Sequence, residues 1–367
     1  LTGVIPERPR LASLGIAGGA VYYALVAAVA AEHGITLATR DRRAAETYRA
    51  LDIDFELIQS NGADGYVRTD EDKTMTQSVK FGLNADPNTG GLAIAERITA
   101  IADTSGLDYV GIQDHPYNDG FTDTLSLITW LAARTGHVHL FPNVANLPLR
   151  PPAMLAKQAA TIDVLSGGRF ELGLGAGAFA DGIAGLGGSR RSAGQARGAL
   201  SEAIDIIRAS WAGEPYSYRG TYYELPSVRP GPRPAHDIGL WLGVAGPRAV
   251  ELVGAKADGW SVSAPYVPPE RLPGLNQIID TAARDAGRDP AAITRLYNVM
   301  GLITPENRDP FNGPVERWAQ TLTTLHTEAQ MNAFVFWPTG DRERQSSLFA
   351  EEVVPAARES LARLTRS

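Results

Sequence analysis

The chain has 367 residues, of which 44% are hydrophobic and 20% charged, with a formal net charge of -7. That is material for one large α/β domain plus a small appendage, which excludes disorder as its main character; the acidic balance excludes a nucleic-acid surface over the whole molecule. Cysteine is absent, so disulfides, thiolate nucleophiles and thiolate metal sites are excluded, and redox chemistry has to come from a bound cofactor.

In chain order, Arg8 and Arg10 precede an uncharged run, Leu14 to Ala31, that superficially resembles a secretory signal. Gly15, Gly18 and Gly19, the run's weak hydrophobicity and its direct passage into a strand-like Ile35 to Thr39 favour a buried helix instead. No later segment is long and apolar enough to span a membrane, and a cytoplasmic location is expected. Residues 1-58 read as helix (Ala20 to His33), strand (Ile35 to Thr39), helix (Arg42 to Leu51) and short strand (Phe55 to Ile58), which is half a domain. Gln59 to Ser78 is polar and aperiodic, a linker spanning residues 59-78. Met75 within it is a natural start for the larger unit, 79-367.

From Val79 onward short apolar runs alternate with longer amphipathic stretches, as in successive β/α units. Strands are predicted at Val79 to Asn84, Tyr109 to Gln113, Val138 to Asn146, Arg169 to Leu174, Ile238 to Gly243, Gly259 to Ser263, Leu296 to Ile303 and Ala333 to Trp337. Helices are predicted between them, and a last one from Arg342 to Leu364. Eight such units close most economically as an α/β fold of the TIM (β/α)8 barrel type, with the small N-terminal α/β appendage in front. The glycine-rich Ala178 to Gly194, after the fourth strand, is expected to be a mobile lid on the functional face.

On a barrel, residues at strand C-termini are catalytic candidates and those at strand starts are structural. That rule selects His115, just past the second strand beside Asp114, and sets aside His137 and His139, whose spacing superficially suggests a metal-ligand pair; no metal site is expected. Asn143 and Asn146 place two amides near the end of a buried run, where they either satisfy backbone groups or present hydrogen bonds to a ring across the barrel. Gly173 to Ala178 is weak as a dinucleotide fingerprint but suits close backbone approach to a flat cofactor. Gly243 to Arg248 joins the fifth strand to a helix whose free amides, with Gly246 and Arg248, suit a phosphate.

Two resemblances follow. Tyr22 to Ala28 and Leu37 to Ala44 resemble the C-terminal half of PIN-domain toxin ribonucleases. The family's acid matching Asp41 helps bind a metal, but the chain lacks the N-terminal half and has Tyr23 where an aspartate is usual, so no nuclease activity is expected and Asp41 reads as a helix N-cap. The larger unit carries Gly111-Ile112-Gln113-Asp114-His115, Pro142 to Asn146, Gln158 to Arg169, Leu172 to Gly177 and Ala257-Asp258-Gly259-Trp260. In that order these resemble the luciferase-like oxidoreductases, the family of bacterial luciferase and of enzymes using the deazaflavin coenzyme F-420.

The resemblance implies a flavin- or deazaflavin-dependent oxidoreductase, with His115 at the reactive edge of the ring and Asp114 orienting it. Asn143 and Val144 would form a non-proline cis peptide behind the ring, while Gly175, Gly177, Gly243, Gly246 and Arg248 would line the tail and phosphate. An Asp-His pair is commoner among the deazaflavin users and Glu-His among FMN monooxygenases, so coenzyme F-420 with hydride transfer is favoured, FMN with oxygen insertion being the alternative. The chain departs from many relatives in having Gly182 rather than an acid after the glycine run. A small-molecule substrate is expected, walled by Tyr117, Phe121, Tyr266 and Trp337, with no nucleic acid on the barrel and with a homodimer as an open assembly. Competing readings are a metal-dependent barrel hydrolase, for which only Asp114 and His115 qualify, and a toxin fragment binding RNA or an antitoxin through Arg40, Arg42 and Arg43.

Overall fold

The computed structural model describes residues 37–39, 42–51, 55–57 and 79–364. The chain divides into two units, residues 1–75 and 76–367. In the first, strands Leu37–Thr39 and Phe55–Leu57 pair in parallel and are joined by helix Arg42–Ala50. Ala45, Thr47 and Tyr48 are buried, and the Tyr48 ring lies 5.7 Å from that of Phe55. The predicted helix Ala20 to His33, Tyr23, Arg40, Asp41 and the linker lie outside the described residues.

In the second unit eight parallel strands follow one another around a barrel. They are β1 (Lys80–Asn84), β2 (Tyr109–Ile112), β3 (His139–Pro142), β4 (Leu172–Gly175), β5 (Leu240–Gly243), β6 (Gly259–Ser263), β7 (Thr294–Ile303) and β8 (Ala333–Pro338). Each neighbouring pair from β4 through β8 and on to β1, β2 and β3 is hydrogen bonded in parallel. The remaining seam, between β3 and β4, is narrower. A single bridge, Leu140 to Phe170, joins the strands' starts through Leu140 N to Arg169 O at 3.0 Å and Glu171 N to Leu140 O at 3.1 Å.

Pro142, which has no N–H to donate, ends β3, and the next peptide but one, Asn143–Val144, is cis. The chain then re-enters the sheet as Ala145–Asn146, paired with Leu174–Gly175 of β4. The predicted single strand Val138 to Asn146 is therefore two pieces with a corner between them. Helices α1 (Leu92–Thr104), α2 (Thr124–Ala132), α3 (Pro152–Ser166), α4 (Ala193–Ala212), α5 (Pro247–Lys256), α6 (Leu272–Asp285) and α7 (Val315–Ala329) connect the strands. The last predicted helix is broken by a π-turn at Phe349–Val353, between α8 (Arg342–Leu348) and α9 (Val354–Leu364). An antiparallel hairpin, Tyr216–Arg219 with Glu224–Val228, was not foreseen, because its strands are short and only half-buried.

The barrel interior is filled by Phe141, Trp241, Leu296, Ala333 and Val335, with Tyr109 edge-on to both Phe141 and Trp241. A larger apolar layer lies between sheet and helices. Several residues of the family-like segments serve this framework. Gly167, at φ 72, ends α3 in the left-handed conformation. Arg169 follows and donates to the carbonyls of Ser166, Val138 and Ala132, so β4 starts later than Arg169. Asp258 accepts from Leu240 N and from Arg208, and the buried Trp260 indole donates to Val244 O at 2.7 Å.

Candidate active site

At the C-terminal end of the strands lies a cavity of about 630 Å³. Strand ends and the loops after them build it, as the barrel rule expects. His115, Asp114, Asn143, Val144, Asn146, Gly175, Gly177 and Gly243 all line it, as do the walls Tyr117, Tyr266 and Trp337. Two expected residues do not. Gly246 caps the start of α5 and Arg248 is exposed on that helix's first turn, so the cavity reaches α5 only at Ala249. Phe121 is also absent from the lining; its backbone bridges to Asn88 instead.

His115 and Tyr117 form a hydrogen-bonded pair, Nδ1 to Oη at 2.6 Å. Phe179 stands edge-on to the imidazole at 5.3 Å. Burial lowers the imidazole pKa from its ordinary value, outweighing the neighbouring Asp114 charge, so the ring is neutral at pH 7. Burial and then the Asp114 and Tyr266 charges push the Tyr117 phenol up to about 12. The pair thus shares neutral protons, and Nε2 of His115 has no hydrogen-bond partner among the described residues.

Asp114 does different work from its neighbour. Its carboxylate is buried and held by Arg150 in a two-pronged pair, Nε to Oδ2 at 2.9 Å and Nη2 to Oδ1 at 2.8 Å, while Oδ2 also accepts Asn146 N at 2.8 Å. Burial alone would lower the Arg150 pKa, but its bonds to Asp114 and Asp123 outweigh that and raise it. Asp114 therefore fixes the loop after β2 to the corner after β3. It orients the site through the backbone, and its oxygens are already taken. Arg150 carries this link and was not singled out from the sequence; an Arg after a proline-rich corner gives no spacing signal.

Across the mouth runs a chain of neutral polar groups from the corner after β3 and from β6, β7 and β8. Asn143 Nδ2 donates to Asn298 Oδ1 at 2.7 Å, Ser261 Oγ donates to Asn143 Oδ1 at 2.9 Å, and Trp337 Nε1 donates to Asn298 Oδ1 at 3.2 Å. Ser263 and the Val262 carbonyl accept from Asn298 Nδ2 at 3.2 and 3.3 Å. So Asn143 is locked in the wall. Asn146 is not: the residue lines the cavity, and its buried Oδ1 has no partner. Ser261 and Asn298 were missed in the sequence, although a polar residue inside a buried strand is the signal that exposed Asn143.

The Val144 side chain explains two of the glycines. A Cβ on Gly243 would lie 2.5 Å from Val144 Cγ2, and one on Gly175 would lie 2.7 Å from it. Gly182 has a similar cause, since its Cβ would meet the Tyr117 ring at 2.6 Å. It belongs to a short helix, Ala180–Gly185, within the segment expected to be a mobile lid, of which Ala178 and Phe179 line the cavity.

The model of the family described as luciferase-like monooxygenase matches residues 75–312, and the chain belongs to that family. It is 28% identical to the F420-dependent glucose-6-phosphate dehydrogenase of Microbacterium testaceum (strain StLB037) over 268 residues, 70% of this chain and 80% of that one. It is 30% identical to the 5,10-methylenetetrahydromethanopterin reductase of Archaeoglobus fulgidus over 229 residues, 61% of this chain and 64% of that one. Among solved structures, an F420-dependent secondary alcohol dehydrogenase in complex with an F420-acetone adduct superposes with a TM-score of 0.69 at 19% identity, over 76% of this chain and 99% of that one. The protein is an enzyme of the luciferase-like oxidoreductases. Among the described residues no helix is long and apolar enough to cross a membrane.

Proposed function

We propose that the enzyme transfers a hydride between coenzyme F-420 and a small uncharged organic substrate, an alcohol or its carbonyl partner. The observation that carries this reading is the neutral His115–Tyr117 pair facing a cavity whose lining contains no Lys or Arg among the described residues. Two of the proteins named above are described as F420-dependent, and one of them acts on a phosphorylated sugar. A sugar phosphate needs a cationic seat, and this mouth offers apolar and neutral polar groups and one acid, Asp114, already paired with Arg150. The cavity volume suits a flat ring and a small partner. The Asn146 amide, turned toward the cavity that the residue lines, would suit a ring N–H, and the Ala145, Ala176 and Val144 surfaces suit an aromatic face.

Bound there, a deazaflavin supplies a hydride acceptor or donor at its ring carbon and reacts poorly with oxygen. The protein's residues supply the rest. With Nδ1–H donating to Tyr117, His115 Nε2 takes the hydroxyl proton of an alcohol and the ring becomes imidazolium; in the reverse direction that imidazolium returns the Nε2 proton to the carbonyl oxygen and the ring is neutral again. The raised Tyr117 pKa keeps the phenol protonated in either case. Phe179 and Tyr117 narrow the entrance and exclude water from that proton. A homodimer in the cytoplasm is the proposed setting, supported for location by the absence of cysteine. The test is an assay of coenzyme F-420 reduction with a panel of uncharged secondary alcohols and sugar phosphates. Turnover with the alcohols is expected; turnover confined to sugar phosphates contradicts the substrate class.

A further inference from the structure

At the opposite end of the barrel the starts of β3 and β4 and the loop leading into β5 bring together His139, Glu171 and His236. We propose that these three side chains form a binding site for one divalent transition-metal ion of the zinc class, which clasps the β3–β4 seam. His139 Nδ1 lies 3.0 Å and His236 Nε2 3.4 Å from Glu171 Oε1, and the three donor atoms lie within 4.8 Å of one another. Ligand atoms of a tetrahedral zinc ion, with bonds of about 2.0–2.1 Å, sit roughly 3.3 Å apart, so the donors need only small shifts. Two imidazoles and one carboxylate suit a borderline metal, whereas calcium and magnesium require more oxygens.

The second observation is the support behind the ligands. Asp163 is fully buried, and its Oδ1 takes His236 Nδ1–H at 2.7 Å while Oδ2 accepts Ala235 N at 2.7 Å and His236 N at 3.1 Å. This is the carboxylate–histidine arrangement that fixes a ligating ring and leaves Nε2 as its donor atom. The Nε2 of that ring faces Glu171 Oε1 at 3.4 Å, the contact that a cation between them would replace. Glu171 is itself held, with Oε2 accepting Gly239 N at 2.5 Å. His139 and His236 remain about one-third exposed, at 33% and 28%, leaving an entry path and a fourth position for water. His137, paired with His139 in the sequence, is not part of the cluster; its backbone N–H goes to Asp103.

The ion would join three chain segments at the bottom of the β3–β4 seam, where a single bridge links the strand starts. The experiment is calorimetric titration of the untagged, chelator-treated full chain with Zn2+ alone, accompanied by thermal melting. One saturable equivalent is expected, with a rise in Tm, and both are expected to weaken at least about tenfold in affinity with His139→Ala and with Glu171→Gln. His115→Ala, at the far end, should leave Zn2+ binding unchanged. His139 is partly exposed, so His139→Ala is expected to fold and the test stands if Glu171→Gln does not. No saturable binding by the wild-type chain, or binding that His139→Ala leaves intact, overturns the proposal.

Discussion

At the mouth of the barrel, Asn143, Ser261, Asn298 and Trp337 make a neutral hydrogen-bonded chain beside a neutral His115, and Asn146 Oδ1 is left without a partner. At the other end, His139, Glu171, His236 and Asp163 form an ionic cluster in which the buried carboxylates are bonded at both oxygens. There, burial would raise the Glu171 pKa, but the two histidines outweigh it and hold the carboxyl below its ordinary value. The contrast teaches where each end invests. Charge bonded to protein partners fixes the framework and orders the three proposed ligands, whereas the mouth keeps its polar atoms neutral and partly unsatisfied. Asp114 confirms the distinction from inside the mouth, because its charge is fully taken by Arg150 and a backbone N–H.

Substitutions can break this division. His115→Ala should have the largest effect, a fall in kcat of about 10²–10³-fold with cofactor binding nearly unchanged, since it removes a proton-transfer group and leaves the cavity walls. Steady-state kinetics beside a binding titration checks it; wild-type turnover in a folded variant removes His115 from the mechanism. Asp114→Ala should instead cost about 3 kcal/mol of stability in urea unfolding, because a buried charged partner loses its mate. Were it to abolish turnover in a chain of unchanged stability, Asp114 would be a chemical rather than a framework group.

Gly243→Ala should cost about 1–3 kcal/mol through the clash with Val144, and Val144→Ala should relieve much of that in the double variant. Additive losses would show that Gly243 is needed for some other reason. The smallest effect is on pH. His115 has a folded pKa below its ordinary 6.5, so alcohol oxidation, which needs the neutral ring, should be flat from pH 7 upward and fall only in acid below 6.5. A fall beginning above pH 7 would require a charged imidazole instead.

Much of the fold was legible because strand positions repeat with helical stretches between them, and β6 falls at the predicted residues. The corner in β3 was expected only through the Asn143–Val144 resemblance, since periodicity sees a continuous apolar run there. Of the candidate site, His115 was found from its place after a strand, and Asn143 from being polar in a buried run. The His115–Tyr117 bond was within reach of two-residue spacing, but Arg150, Ser261 and Asn298 come from distant segments and meet only in three dimensions. Arg248 lies outside the cavity lining, a placement periodicity cannot give, because a helix N-terminus after a glycine turn looks alike whether it faces the cavity or solvent. The Glu171 cluster was invisible for the same reason as Asn298. His236 sits in a loop with no pattern around it.

The central claim is that the neutral mouth holds a deazaflavin. Its most direct test is equilibrium titration of the full chain with coenzyme F-420 and, separately, with FMN, followed by fluorescence. One equivalent of coenzyme F-420 bound much more tightly than FMN is the result predicted, with the affinity reduced by Asn146→Ala. Tight binding of FMN alone, or of neither, contradicts it.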